Sequence, residues 1–172
     1  MTAEIPAITG RPVPVACAPG AGLGHPTCYL PLIPVIEVDG SLLGVPPATA
    51  RPASPSDRER YPVLWGALTH EGGHAAHSKV APPPAGAANW CQAACMLEES
   101  RMEAALLARR PCDRRWLRAT VSKLILEDFT AAGAAPATPR EAGSAAALVL
   151  AREAPASSNP PRPPMSPPRS PR

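Results

Sequence analysis

The stretch Tyr61–Ser78, YPVLWGALTHEGGHAAHS, decides how the chain is read. Pro62 suits the first position of a helix, where its missing N–H goes unneeded, and the run predicts a helix to about Ser78. Three of the chain's four histidines, His70, His74 and His77, fall inside it. Residues four apart on a helix differ by about 40° in azimuth and about 6 Å along the axis. His70 and His74 therefore project side by side and can grip one ion. Glu71 points to the adjacent face, within reach of a water on that ion. Consecutive Gly72 and Gly73 cost about 1 kcal/mol each relative to alanine, a cost that makes sense where the helix packs close against another element. The competing reading is a solvated or core histidine pair that holds no ion.

H-E-x-x-H recurs in zinc hydrolases because two neutral imidazoles hold Zn²⁺ and the glutamate takes a proton from the zinc-bound water. Such a zinc usually takes a third protein ligand. His77 lies about 10.5 Å along the axis from His70, too far to share the ion on a straight helix. The better source is a second helix, expected over residues 87–109, which carries CMLEESRMEAALL at Cys95–Leu107. Glu99 and Glu103 are four apart and share a face. One can bind the ion while the other accepts a hydrogen bond from a ligand imidazole and fixes its tautomer. Glu98 is the alternative third ligand, but it shares its face with Arg101, and a helix-surface ion pair also accounts for it.

HEGGH followed by a glutamate helix resembles the zincin metallopeptidases of the gluzincin type, which carry H-E-x-x-H on one helix and E-x-x-x-D/E on a later one. THEGGHAAHS, LEESRMEAALLARRP and DRRWLRA together look like a bacterial group of metallopeptidases, some allied to von Willebrand factor A-like proteins. The likeness covers about residues 28 to 130. It implies zinc held by His70, His74 and Glu99, with Glu71 as general base; the spacing argument leaves Glu103 as the supporting carboxylate. It also implies that a hairpin at 33–45 belongs to a small sheet beside the active-site helix.

Working outward, IPVIEVDGSLLGV at Ile33–Val45 predicts that hairpin, turning at Asp39-Gly40. Ser56 and Glu59 form a candidate capping box. Pro82 to Pro84 predict a loop. A third helix is expected from Asp113 as N-cap, with Trp116, Val121, Leu124 and Ile125 at helical spacing. Thr138-Pro139 with Glu141 marks the start of a candidate fourth helix. Residues 1–28 read as an irregular segment, 29–130 as the metallopeptidase domain, 131–154 as room for the additional helix, and 155–172 as a disordered Pro/Arg-rich tail. GAGLG at Gly20–Gly24 has no strand before it or helix after it, so it is not read as a phosphate loop. The fold class is α+β, mainly helical.

Composition narrows the function. Aromatic residues make up 3% of the 172 residues, and 26 are proline, which predicts a modest core. The net charge of +3 comes from cations interspersed with acids, without stacking aromatics, so no nucleic-acid partner is expected. No apolar run approaches a membrane span. Five cysteines in no framework spacing and an N-terminus without a signal-peptide pattern suit a cytoplasmic protein. Cys91 and Cys95 are read as small buried hydrophobes. Tyr61, His77 and Arg101 are candidates to stabilise an oxyanion. Three functions compete: a zinc peptidase acting on a peptide or protein, a non-catalytic zinc module (a decayed or truncated metallopeptidase), and an interaction protein working through the proline-rich tail.

Overall fold

A computed structural model of the chain describes residues 4–43, 45–51, 54–79 and 89–126, with a few positions between 138 and 146. The fold is α+β and mainly helical. In chain order the elements are α1 (Ile5–Thr9), β1 (Val15–Ala18), β2 (Thr27–Leu30), β3 (Val35–Asp39), α2 (Pro55–Arg60), α3 (Pro62–His77), α4 (Asn89–Arg109) and α5 (Arg114–Val121), the last running into a π-helical turn at Ser122–Leu126. The proline loop at 82–84, the tail at 155–172 and most of the expected fourth helix fall outside the described residues.

Helix α3 is the axis of the fold. Residues 64–69 and 71–73 are buried nearly all round it, and the glycines explain how neighbours come so close. A Cβ on Gly72 would stand 2.5 Å from Ile8 Cγ2 of α1, and one on Gly73 would stand 2.3 Å from Met102 Sδ of α4. A Cβ on Gly66 would sit 2.0 Å from the Trp116 carbonyl oxygen of α5. The helix-propensity cost read from the sequence is thus offset by packing on three sides. Leu64, Trp65 and Leu68 of α3 join Ile5, Ile8, Leu106, Trp116 and Leu117 in one core, which the sheet completes through Ile36 and Val38.

The sheet differs from the expected hairpin. Its order is β1-β3-β2, with β1 parallel and β2 antiparallel to the central β3. Tight hairpins through Asp-Gly turn with positive φ at both positions, and neither Asp39 nor Gly40 has positive φ. Instead Asp39 Oδ1 accepts the Ser41 and Gly20 N–H groups (2.9 and 3.0 Å), and the chain leaves β3 in a 3₁₀ turn at Gly40–Leu43. Both edges of β3 are already filled from the N-terminal segment. That segment, read as irregular, carries α1, β1 and the start of β2. Within β3 the alternation is as its sequence dictates, with Ile36 and Val38 inward.

Two caps are corrected as well. Helix α2 starts two residues earlier than a Ser56 cap would place it, with Ser54 at the N-cap, Pro55 in the first turn and no side-chain cap bond. Asp113 does sit at the N-cap of α5, but its carboxylate pairs with Arg110 (2.5 Å) rather than capping. The Gly20–Gly24 loop offers no free phosphate cradle, because Glu37 takes the Gly22 amide (3.0 Å) and Asp39 takes the Gly20 amide.

Candidate metal centre

The helical register of α3 brings the His70 and His74 rings to 4.7 Å between centroids, with their Nε2 atoms 3.2 Å apart. Helix α4 packs across this face and sets Glu99 against both rings, 3.1 Å from His70 Nε2 and 3.3 Å from His74 Nε2. These three residues form a group that can hold a metal ion. Ligand atoms around a tetrahedral zinc at 2.0–2.1 Å stand about 3.3 Å from one another, so the observed edges suit a cation of that size. The donor set of two imidazole nitrogens and one carboxylate oxygen suits zinc as well.

The far side of each imidazole is fixed. His70 Nδ1 donates to Glu103 Oε1 (2.8 Å), and His74 Nδ1 pairs with Ser78 Oγ (2.7 Å). Both Nε2 atoms are therefore left to the centre, and Glu103 (4% exposed) performs the orienting task expected of the second carboxylate on its face. Burial disfavours charge on His70, but hydrogen bonds to Glu103 and Glu99 outweigh it and raise its pKa to about 10. Burial likewise opposes ionisation of Glu99, yet the hydrogen bonds from His70 and His74 hold its carboxyl well below the usual range. These shifts favour a protonated His70 between the Glu99 and Glu103 carboxylates, a proton that an incoming dication would have to displace.

Glu71 is buried and turns toward the sheet. Its Oε2 accepts the Tyr29 backbone N–H (2.7 Å) and its Oε1 accepts the Thr27 hydroxyl (3.0 Å), both from β2. Strand β2 pairs with β3 on one side only, so Glu71 holds its open edge. A cleft of about 550 Å³ runs between this edge and α4, and Glu71, His74 and Glu99 all line it. A second cavity of about 340 Å³ lies against His70 and Glu103 on the other side.

The remaining candidates stand apart from the cluster. Glu98 Oε1 accepts the Lys79 backbone N–H (2.7 Å) and its carboxylate pairs with Arg101 (2.6 Å), whose guanidinium also donates to the His77 carbonyl. This arrangement clasps the end of α3 to α4. The His77 ring faces Arg109 (3.4 Å), and burial together with the Arg109 and Arg101 charges lowers its pKa. Tyr61 precedes α3, nine residues and about 13 Å of axis before His70. None of Tyr61, His77 and Arg101 is placed to steady an oxyanion at the cluster. Cys95 is half-buried and lines the cleft rather than the core; the Cys91 side chain lies outside the described residues.

Sequence reasoning missed Arg11, Thr27 and Tyr29. All three line the cleft, but Arg11 and Thr27 come from the segment read as irregular and Tyr29 directly follows it, where no local periodicity marks them. No family model matches the chain, and neither a curated protein nor a solved structure matches it significantly. Among the described residues no helix is long and apolar enough to cross a membrane.

Proposed function

We propose that the chain is a zinc-dependent peptidase of the zincin type, with His70, His74 and Glu99 as the zinc ligands and Glu71 as general base. The observation that carries this reading is that Glu71 lines one cleft together with His74 and Glu99, beside a sheet edge. Zinc held there supplies Lewis acidity, polarising a carbonyl and acidifying water. The two bonds from β2 orient the Glu71 carboxylate, and each oxygen keeps a lone pair for a proton. Glu71 takes that proton from the attacking water and hands it to the departing amine. Glu103 keeps the His70 imidazole in the tautomer that presents Nε2, and Ser78 holds the His74 ring by its Nδ1 side.

The test is metal analysis followed by peptide hydrolysis with wild type and Glu71→Gln. The expected result is about one zinc per chain in both proteins, with hydrolysis in the wild type only. Zinc in both proteins with no hydrolysis in either favours the non-catalytic zinc module. Absence of zinc overturns both readings and leaves the interaction protein.

A further inference from the structure

Four arginines of the fold each answer a carboxylate: Arg58 pairs with Glu4, Arg101 with Glu98, Arg110 with Asp113 and Arg115 with Glu59. Arg11 does not. Its guanidinium donates to the Tyr29 hydroxyl (3.0 Å) and to the Ala75 carbonyl (3.5 Å), neither of which neutralises it, and no described carboxylate pairs with it. The backbone that presents it is pinned, since Thr9 Oγ1 bonds both the carbonyl and the N–H of Arg11. The charge lies at the cleft that Glu71, His74 and Glu99 line, and Ala75 directly follows His74 in α3.

Tyr29 measures the distance to the reaction centre. Its backbone N–H donates to Glu71, while its hydroxyl accepts from Arg11. The base and the guanidinium are thus one tyrosine and two hydrogen bonds apart, a span of at most about four residues of extended chain. An unneutralised guanidinium at that range fits a planar carboxylate, which it can grip with two parallel bonds.

From this geometry we infer that Arg11 binds the C-terminal carboxylate of a peptide, so that the protein trims one to three residues from C-terminal ends instead of cutting within chains. The inference rests on the peptidase reading and narrows its substrate class. Tyr29 positions the guanidinium, and Arg11 is a specificity residue.

Two peptides of one sequence, ending in a free carboxylate or in an amide, test it. With the zinc-loaded full-length chain, the carboxylate form should be favoured about 10- to 100-fold in kcat/KM, mostly through KM. Products should be one to three residues long. Arg11→Ala and Arg11→Gln should erase the preference, whereas Lys79→Ala, which removes the other cation lining the cleft, should keep it. Equal cleavage of the two peptides, internal cleavage of the amide, or a preference that follows Lys79 overturns the inference while leaving the peptidase reading intact. If neither peptide is cut, the peptidase reading fails, and equilibrium binding of the two peptides to zinc-loaded Glu71→Gln still decides the anchor. Tighter binding of the carboxylate form, lost on adding Arg11→Ala, supports it; equal affinity refutes it.

Discussion

Glu98 and Glu99 are neighbours in sequence with separate tasks in the structure. Glu99 meets both imidazoles, whereas Glu98 is spent on the Lys79 N–H and the Arg101 guanidinium. The spacing argument could see this, because adjacent helical residues project about 100° apart and only one can face the histidine pair. Glu99→Ala should abolish tight zinc binding, as should His70→Ala or His74→Ala. Glu103→Ala should weaken binding roughly 10- to 100-fold by freeing the His70 ring. Glu98→Ala should leave zinc affinity nearly unchanged and lower stability by about 1 kcal/mol, since it removes the acceptor of the Lys79 N–H and breaks the clasp on α3. Zinc titrations and denaturant melts on the five single variants check the set; a Glu98 variant that loses metal while Glu99→Ala keeps it would move the site by one residue. A second expectation concerns the proton. With the His70 pKa raised to about 10, the imidazolium must give up its Nε2 proton to bind an ion. Binding near pH 7 should release about one proton, and affinity should climb about tenfold per pH unit between roughly 7 and 9. Calorimetry in buffers of different ionisation enthalpy measures the release directly, and a value near zero would mean that His70 is neutral before the ion arrives.

Helices α3 and α4 were legible because each carries its own signals: Pro62 at the start of one with H-E-x-x-H along it, and in the other the glutamates four apart with Pro111 just beyond the end. Strands β1 and β2 carry none. β1 and β2 are four residues each, set among prolines and glycines, and β1 finds β3 by a parallel pairing that no local turn announces. Asp39-Gly40 looked like a hairpin because composition cannot report φ. The glycines of α3 were readable as a question, and packing answers it. Their neighbours also rank them. At Gly66 the obstacle is backbone, with the Trp116 carbonyl oxygen at 2.0 Å and Thr120 Oγ1 at 2.1 Å from a Cβ. That hydroxyl already bonds the Val63 carbonyl (2.8 Å), so α5 is locked against α3. At Gly73 the nearest atom is the sulfur of Met102, on a side chain with several rotamers. Gly66→Ala should therefore destabilise the fold by about 3 kcal/mol or more as α5 is pushed off. Gly73→Ala should cost clearly less, because alanine's helix propensity returns about 1 kcal/mol and Met102 can repack. Thermal melts of both variants in ion-free buffer provide the comparison, and equal losses would show that the Trp116 contact does not fix the α3–α5 crossing.

The cluster also ties α3 to α4, so the charge states of His70 and Glu99 enter the stability of the fold. In the ion-free chain two shifts oppose each other in pH. The folded pKa of His70 is raised above 6.5 to about 10, so its contribution is full below about 6.5 and is lost as pH rises toward 10. The Glu99 carboxyl is depressed below 4.5, so its contribution is full above about 4.5 and is lost as pH falls further below. The ion-free protein should accordingly be most stable between about pH 4.5 and 6.5, a window set by these two residues and displaced to the acid side of neutrality. Zinc reverses the alkaline arm. Once the ion replaces the His70 proton, raising pH strengthens binding, and stability increases by RT ln(1 + [Zn²⁺]/Kd). Melting temperatures measured from pH 4 to 9, with chelator and with zinc, should give two curves that lie close together at pH 5 and diverge steadily above pH 7. A chelated protein whose stability stays flat through the alkaline range would mean that the proton on His70 does not bind the two helices together, and the carboxylate–imidazolium–carboxylate chain would have to be abandoned as the ion-free state.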